Sequence, residues 1–316
     1  MSRRFAWRKR GRFLEARPDI PWLAGGCGPC FAQMRAGSDT LVDLYVSGRD
    51  VHNRSLIGRA TFDASVGDIG ELSPNPVMPL GERGSFDENG TSYPYVVTGQ
   101  DGWRMYYTGW IEGVHVRWYN DIGLATSVDG RTFERYSRAP LALKSDQDFI
   151  GIGSSCVLRH GERWLMWYTR FDRWGATEQD FEHYYNIRHA VSEDGIHWEA
   201  VGGVCIDFED ATEYAIAKPC VLRLADQFMM WYSRRGDAYR PGFAVSDDGI
   251  SWHRLDSMVG IDVSESGWDA DMLCYPMVVD GGETLYMFYN GNGYGKSGLG
   301  WATARKADLL EALDAW

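Results

Sequence analysis

Two groups of residues in the sequence have types and spacing that could do chemistry. The first is Cys27-Gly28-Pro29-Cys30, a dithiol spacing that thioredoxin-like oxidoreductases use. The second is a set of acidic residues that recurs along the chain, a few positions ahead of a series of apolar segments. Carboxylates held near one another can act as general acid and general base. Which chemistry applies depends on the elements that position these residues.

The chain repeats an apolar pattern about every 60 residues. Segments that end in tyrosine recur at Tyr45, Tyr107, Tyr168, Tyr232 and Tyr289. Each follows a shorter apolar segment that begins at a proline or a serine, and each precedes a third with small residues. In three copies an Asp-Gly turn leads to a fourth segment, in SVDGRTF, SEDGIHW and SDDGISW. Four short strands repeated five times predict an all-β fold, a five-bladed β-propeller.

We expect a single domain over residues 1–316. The expected blades cover, approximately, residues 22–66, 84–142, 148–206, 213–261 and 268–305. The fifth copy lacks the Asp-Gly turn and the fourth segment, whereas residues 5–14 resemble an isolated fourth segment. The N-terminal strand is therefore expected to join the last blade and close the ring, which removes a sheet edge.

Composition and charge exclude several classes of function. A net charge of −12 argues against a nucleic-acid partner. Six cysteines are too few for a disulfide scaffold, so reduced thiols and a cytoplasmic location are expected. No apolar run follows the basic N-terminus and no 18 apolar residues are consecutive, so no membrane partner is expected. Metal-ligand spacing and nucleotide-binding glycine motifs are lacking, and we expect neither metal nor cofactor.

The recurring acidic residues lie mostly six or seven positions ahead of the proline or serine that begins each inner strand. They are Asp87, Glu88, Asp148, Glu213, Asp269 and Asp271. In a propeller these positions are expected to converge near the axis. Like charges that crowd together raise the pKa of at least one carboxyl, which suits a general acid at neutral pH. Any one of them could instead satisfy backbone groups where a blade begins.

The residues that follow each tyrosine are expected on the same face of the propeller. Guanidinium groups there can pair with the carboxylates or bind a substrate anion, and aromatic rings suit sugar rings. The expected substrate-binding residues are Arg49, Glu88, Trp110, Asp148, Arg170, Lys218, Arg234, Asn292 and Tyr294. The long aromatic loop RFDRWGATEQDFEHYYN, residues 170–186, predicts a wall or lid over the funnel.

The sequence resembles the five-bladed propeller glycosidases, the superfamily that contains glycoside hydrolase families 43, 32 and 130. It looks most like uncharacterised family-43-like proteins encoded with polysaccharide genes. The likeness spans almost the whole chain and is carried by SFDENGTSYPYVV, MYYTGW, EYAIAKPCVL, GWDADMLCYP and MFYNGNGYG. It implies an inverting mechanism with a base, an acid and a pKa-tuning aspartate. The base of such enzymes usually lies where the first blade's inner strand begins, but here WLAGGCGP has no carboxylate closer than Asp19.

The resemblance implies a glycoside hydrolase that acts on a small intracellular glycan or sugar conjugate, for which an anionic character is one option. Glu213 is expected to be the acid and Asp87 the base, with Asp269 or Asp271 tuning the pKa. The alternatives are an inverting phosphorylase that uses phosphate, another sugar-modifying enzyme, and a non-catalytic glycan-binding module. The Cys27 motif is expected to be a packing feature, because a strand rather than a helix follows it.

Overall fold

A computed structural model describes residues 5–99, 102–175 and 182–316 of the chain. Almost all of the regular structure in these ranges is strand. The chain enters through strand β1 (Arg8–Leu14) and a 3-10 turn (Pro21–Leu23). The first four-stranded antiparallel sheet then follows in chain order, with strands β2 (Gly26–Met34), β3 (Leu41–Arg49), β4 (Ser55–Asp63) and β5 (Asp68–Leu72).

The second repeat forms another four-stranded sheet in chain order. Its strands are β6 (Thr91–Gly99), β7 (Gly102–Glu112), β8 (Trp118–Ser127) and β9 (Glu134–Arg135). Both sheets place the apolar tyrosine segment second, between the strand with the proline and the strand with small residues. The repeated order follows from the repeated sequence pattern, because each short strand pairs with its neighbour through a tight turn.

The third and fourth repeats form one eight-stranded sheet. The third contributes β10 (Ile152–His160), β11 (Arg163–Trp174), β12 (His183–Ser192) and β13 (Glu199–Ile206). The fourth contributes β14 (Ala215–Leu224), β15 (Gln227–Arg235), β16 (Tyr239–Ser246) and β17 (His253–Arg254), followed by a 3-10 turn (Asp256–Met258). A single parallel pairing, between Tyr185 and Ala215, joins the two halves.

The last sheet combines the two ends of the chain. It contains β18 (Cys274–Asp280), β19 (Thr284–Asn290) and β20 (Leu299–Arg305), and β1 pairs antiparallel with β20 as its fourth strand. A short helical turn, α1 (Asn292–Gly295), lies between β19 and β20, and helix α2 (Lys306–Asp314) follows β20. Among the described residues, no helix is long and apolar enough to cross a membrane.

The first strand of each repeat carries the same β-bulge. The register with the second strand shifts between residues 27 and 30, 92 and 95, 153 and 156, 217 and 220, and 274 and 277. Four bulges hold a non-glycine residue with positive φ, namely Tyr93, Ser154, Lys218 and Tyr275. Strands β2, β6, β10, β14 and β18 contact one another in this order, and β18 also contacts β2.

Hydrogen bonds between repeats fix each bulge. The backbone N–H groups of the four left-handed residues donate to hydroxyl oxygens one repeat earlier, on Ser47, Thr108, Thr169 and Ser233, at 2.7–3.2 Å. A bulge leaves an unpaired N–H group, and burying that group without an acceptor would be costly. The hydroxyl therefore stabilises the bulge and also ties one repeat to the next.

A second set of contacts between repeats corrects the alignment of the tyrosine segments. The side chains of Tyr45, Tyr106 and Trp167 each donate a hydrogen bond of 2.7 Å to the glycine carbonyl of the next repeat's Asp-Gly turn. Tyr45 therefore corresponds to Tyr106 rather than to Tyr107. The sequence alignment was one residue out because the hairpin between β2 and β3 is longer than in the other repeats.

Candidate functional site

The acidic residue proposed as the base lies inside the second repeat. Asp87 is 0% exposed, and its Oδ2 accepts hydrogen bonds from Arg135 Nε at 2.7 Å and from the Tyr107 hydroxyl at 3.1 Å. Its Oδ1 accepts a hydrogen bond from Ser85 at 2.8 Å. Both oxygens are thus engaged by neighbours in the same repeat, and this carboxylate links the second strand to the fourth.

Asp148 occupies the same place in the third repeat. It is fully buried, and the Tyr168 hydroxyl donates to it at 3.2 Å. Arg188 Nη1 lies 3.1 Å from both carboxylate oxygens, and Arg170 Nε lies 3.3 Å from Oδ1. Arg170 also pairs with Asp172 at 3.0 Å. Asp148 and Arg170, two of the predicted binding residues, therefore belong to one ion-pair network.

Asp269 repeats the arrangement in the last sheet. The Tyr289 hydroxyl donates to it at 3.2 Å, and Lys9 of β1 approaches it at 2.8 Å. The neighbouring Asp271 is exposed, and its backbone N–H donates to the side-chain oxygen of Asn292 at 2.9 Å. The predicted binding residue Asn292 therefore fixes a loop through its side chain.

Glu213 is held by the fourth repeat. Arg254 donates to both of its oxygens, at 2.7 and 3.0 Å, and also contacts Asp256. The Tyr232 hydroxyl donates to Asp256 at 2.6 Å, while Arg234 lies 3.8 Å from Glu213. A cavity of about 250 Å³ opens beside Glu213, and its other charged lining residues are Glu209, Asp210, Arg234, Asp237 and Arg240.

The first repeat has a tryptophan where the others have a carboxylate. Trp22 lies seven residues before Pro29, the spacing that places the aspartates in their own repeats. It is buried, and its Nε1 donates to the Ser73 carbonyl at 3.0 Å. A Cβ atom on Gly58 would lie 2.0 Å from the Trp22 ring, so the ring fills the space beside the third strand. The missing carboxylate is thus a change of packing in this repeat.

Each of the four buried carboxylates is engaged by a basic side chain of its own sheet, and the residues are Asp87, Asp148, Glu213 and Asp269. The three aspartates also accept a hydrogen bond from a tyrosine hydroxyl, whereas beside Glu213 the tyrosine donates to Asp256. The residues six or seven positions before the proline or serine of each inner strand contact side chains of their own sheet. The residue immediately before the proline is the one that the bulge turns away from the sheet.

Five tyrosines form a cluster, and we call it the tyrosine centre. Its members are Tyr93, Tyr185, Tyr239, Tyr275 and Tyr294. Ring centroids lie 5.4 Å apart for Tyr93 and Tyr275, 5.7 Å for Tyr239 and Tyr275, and 6.0 Å for Tyr239 and Tyr294. The Tyr185 and Tyr239 hydroxyls are hydrogen-bonded to each other. The members come from four different repeats.

Two of these tyrosines owe their position to the bulges. Tyr93 has φ 49° and Tyr275 has φ 57°, a left-handed conformation that costs about 1–3 kcal/mol for a non-glycine residue. A bulge turns a side chain away from the alternation of a regular strand. The sequence signal was a tyrosine directly before the proline of an inner strand, at Pro94 and at Pro276. The predicted catalytic residues lie further ahead of each proline, and this signal was not used to select them.

Two arginines border the tyrosine centre without an acidic partner. The Arg49 guanidinium lies 5.1 Å from the Trp110 ring, and that of Arg235 lies 5.5 and 5.8 Å from the rings of Tyr239 and Tyr294. Within the described residues, neither arginine forms an ion pair. Two predicted binding residues, Arg49 and Trp110, therefore contact each other, and a third, Tyr294, contacts Arg235, which follows the fourth tyrosine segment next to Arg234.

Burial sets the electrostatics of the centre. It lowers the pKa of Arg49, on which Tyr93 and Tyr275 act electrostatically. Burial also raises the pKa of Tyr93 to about 12 and the pKa values of Tyr185 and Tyr275 well above the ordinary value. The phenols are therefore protonated at neutral pH and can donate hydrogen bonds. The centre combines such donors, two cations and apolar ring faces.

An aromatic wall extends from the centre toward the outside. The His183 ring lies 5.1 Å from Tyr185 and 5.2 Å from Trp118, and Trp118 lies 5.3 Å from Trp174. These residues frame the loop that we predicted to be a wall or lid. Residues 176–181 of that loop lie outside the described residues. The described part of the wall offers several ring faces in succession.

The remaining predicted residues make contacts other than those of the tyrosine centre. Lys218 is 3% exposed, and its Nζ is 3.5 Å from the Pro276 carbonyl oxygen and 3.6 Å from Met277 Sδ. Glu88 accepts a hydrogen bond from the backbone N–H of Gly84. Arg234 points toward Glu213 and Asp256 rather than toward the tyrosines.

The dithiol motif is part of strand β2. Cys27 and Cys30 are both buried free thiols, and burial raises the pKa of each to about 12. A redox cysteine needs a lowered pKa and access to solvent. This environment argues for packing, as the sequence pattern indicated. Over the described ranges, no three His, Cys, Asp or Glu side chains are grouped so as to hold a metal ion.

Sequence comparison relates the chain to two mycobacterial proteins, and no family model matches it. "Uncharacterized protein MT1551" of Mycobacterium tuberculosis strain CDC 1551 / Oshkosh is 38% identical over 298 residues. "Uncharacterized protein Rv1502" of strain ATCC 25618 / H37Rv is 37% identical over the same length. Each alignment covers 94% of this chain and 98% of the relative.

Solved structures share the fold at low sequence identity. One, from the GH130 family of mannoside phosphorylases and described as targeting β-1,2 mannosidic linkages, has a TM-score of 0.73 and 15% identity, covering 96% of this chain and 95% of its own. A thermostable family-43 glycoside hydrolase has a TM-score of 0.65 and 15% identity, covering 89% of each chain. Bombyx mori GH32 β-fructofuranosidase has a TM-score of 0.66 and 13% identity, covering 94% and 62%. The chain belongs to the family of the two mycobacterial proteins, and it shares its fold with these solved structures.

Proposed function

We propose that the chain is a glycoside-active enzyme whose sugar substrate binds at the tyrosine centre. The observation that carries the proposal is the convergence of ring faces, phenol donors and two arginines from several repeats at one place. Sugars offer apolar C–H faces to aromatic rings and hydroxyls to hydrogen-bond donors. The glycoside hydrolases and phosphorylases among the structures of the same fold support a carbohydrate substrate.

We also propose that the five repeats are five blades of one closed domain over residues 1–316. The cyclic contacts of the five inner strands support it, as does the pairing of β1 with β20. Joining the two ends of the chain in one sheet leaves no open edge at the closure. All six cysteines are buried free thiols, which supports the expected cytoplasmic location.

For catalysis we retain Glu213 as the proposed acid. It lines a cavity, and residues 236–238, which lie between Arg235 and Tyr239 in the chain, also line that cavity. Asp87 and Asp269 are proposed to stabilise their blades, since a base and a tyrosine hold each of them in a buried place. Asp271, which is exposed, remains the candidate for tuning the pKa of the acid.

A second candidate function is a non-catalytic glycan-binding module. The observation that favours it is that all four carboxylates already have basic partners, so none stands free at the tyrosine centre. An inverting phosphorylase is a variant of the first proposal, in which phosphate replaces water and needs only one acid. The hydrolase and the phosphorylase make different products from the same glycoside, and the binding module makes none.

A panel of aryl glycosides with and without inorganic phosphate tests the proposal. Release of the aryl alcohol without phosphate indicates a hydrolase, and phosphate-dependent release with a sugar phosphate as product indicates a phosphorylase. We expect Glu213→Gln to abolish release and Asp237→Asn, in the same cavity, to retain it. Sugar binding that saturates with no product over the whole panel would replace the enzyme with the binding module.

A further inference from the structure

We propose that Arg49 and Arg235 form an anion subsite at the tyrosine centre, which takes an oxyanion, a carboxylate or a phosphoryl group, carried by the sugar itself. The inference rests on the proposed carbohydrate ligand, but it does not depend on turnover. It assigns the ligand to acidic sugars, such as uronic acids or sugar phosphates, rather than to neutral ones.

The first argument compares these arginines with the chain's other enclosed bases. Arg135, Arg188 and Arg254 each lie within 2.7–3.1 Å of a carboxylate oxygen, and so does Lys9. The chain carries 44 acidic residues against 32 lysines and arginines, so acidic partners are not scarce. Lys218 and Arg104 also lack a carboxylate partner, but each donates to a backbone carbonyl, on Pro276 and Asp194 respectively. Arg235 differs from these bases, because its guanidinium has neither a carboxylate nor a carbonyl partner among the described residues.

The second argument is the unused hydrogen-bonding capacity of Arg235. Its Nε is buried and has no hydrogen-bond partner, and its guanidinium donates to no acceptor in the described part of the chain. It lies instead against three tyrosine rings, 5.1 Å from Tyr214, 5.5 Å from Tyr239 and 5.8 Å from Tyr294. A planar guanidinium held in this way can present its donors to a carboxylate or phosphoryl group.

The third argument concerns Arg49. It donates from Nη1 to the Asn53 carbonyl at 2.9 Å, which leaves most of its donors unused. The adjacent carboxylate of Asp50 is occupied by Arg54 and by the backbone N–H of His52. Burial lowers the pKa of Arg49, so the charged guanidinium lies in an unfavourable environment that an anion would relieve.

The tyrosines connect the two arginines into one subsite. Tyr93 and Tyr275 act electrostatically on Arg49, and Tyr275 packs on Tyr239, which Arg235 contacts. Protonated phenols donate to an oxyanion, and their ring faces remain available to the sugar. An acidic sugar therefore satisfies both chemistries at once, whereas a neutral sugar would leave the guanidinium groups uncompensated.

Binding measurements on matched sugars test the proposal. Titration calorimetry compares glucuronic, galacturonic and mannuronic acids, and glucose 6-phosphate, with the corresponding neutral sugars. We expect at least one acidic sugar to bind at least tenfold more tightly than its neutral counterpart. Arg49→Gln and Arg235→Gln should each remove that preference. Arg223→Gln is the matched control, because Arg223 lies near the C-terminal end of β14 and pairs with Asp226.

Other outcomes overturn the proposal. Equal affinities for acidic and neutral sugars, or a preference that survives both glutamine variants, would contradict the subsite. Inorganic phosphate that binds more tightly than every acidic sugar, and depends on the same arginines, would assign the anion to a free co-substrate. If a glutamine variant does not fold, the corresponding arginine-to-lysine variant is measured instead. Added NaCl should also weaken the preference for the acidic sugar if that preference is electrostatic, and a preference unchanged by salt would contradict the subsite.

The failure of this inference can be told from the failure of the proposed function. Turnover of neutral glycosides that Arg235→Gln leaves unchanged would overturn the subsite and keep the enzyme. An arginine-dependent preference for acidic sugars without any product would keep the subsite and overturn the enzyme.

Discussion

The carboxylate networks inside the repeats and the tyrosine centre differ in how their charged side chains are paired. In the second repeat, Asp87 accepts hydrogen bonds from Arg135, Tyr107 and Ser85, and Arg135 also donates to the Pro79 carbonyl. At the centre, Arg49 and Arg235 have rings around them but no acidic partner within the described residues. A buried polar group is costly unless its partners are supplied. The difference suggests that the blades supply these partners from the protein and that the centre receives them from a ligand.

The first repeat shows that a blade can be built without the carboxylate network. Trp22 fills the corresponding space with an apolar ring. We expect Trp22→Ala to lower the free energy of unfolding by about 4 kcal/mol, because it leaves a large cavity. Urea denaturation measures this loss. Trp316→Ala, at a residue that is 67% exposed, is the control and should change the free energy by less than about 1 kcal/mol.

Removing a carboxylate from one of the other repeats tests whether its network stabilises the fold. Asp87→Ala leaves Arg135 without its partner, and we expect a loss of about 3 kcal/mol in the free energy of unfolding. Asp271→Ala, at an exposed carboxylate, should change it by less than about 0.5 kcal/mol. Similar stability of the two variants in urea would show that the network is not structural.

His189 is an exception inside the third blade, because both of its ring nitrogens are buried without a hydrogen-bond partner. Burial lowers its pKa to about 4. Between about pH 6.5 and pH 4 the unfolded chain binds a proton that the folded chain does not, so stability falls as the pH falls. We expect His189 to account for about 3 kcal/mol of this loss. His189→Phe should flatten the dependence of unfolding free energy on pH, and an unchanged slope would contradict this assignment.

A smaller effect is expected from one hydroxyl of the network. Tyr107→Phe removes the hydrogen bond to Asp87 but keeps the ion pair with Arg135. We expect the free energy of unfolding to fall by about 1 kcal/mol. Tyr136→Phe, at a hydroxyl on an exposed side chain, is the matched control. A loss as large as that of Asp87→Ala would mean that the tyrosine rather than the ion pair holds the carboxylate.

The sequence predicted the fold better than the site, for a physical reason. Repeated strands and turns are local signals, and the pairing of β1 with β20 follows from the missing fourth segment of the last copy. The position of a side chain at the centre depends on the bulge before Pro94 and Pro276, which periodicity alone does not reveal. The carboxylates were visible in the sequence, but their partners were not, because Arg135 lies 48 residues from Asp87.

The sequence also did not show which partners each arginine has. Arg234 and Arg235 are adjacent, yet one points to Glu213 and the other to the tyrosine centre. Alternation along β15 predicts that they diverge, but not which of the two faces the centre. We expected both on one face and predicted that Arg234 binds the substrate, whereas the one that contacts the tyrosines is Arg235. A strand position can be assigned to a face from sequence only when the register with its neighbour is known.

The most direct test of the account measures stability and ligand affinity on the same two variants, Arg235→Gln and Asp87→Asn. We predict that Arg235→Gln keeps the free energy of unfolding within about 1 kcal/mol of the unmodified chain, because it removes a partly buried cation whose Nε is buried without a partner. Its affinity for the preferred acidic sugar should fall at least tenfold. Asp87→Asn should lose stability and keep its affinity once folded. An Arg235→Gln protein that is destabilised like the aspartate variant, and binds the acidic sugar as before, would contradict the account.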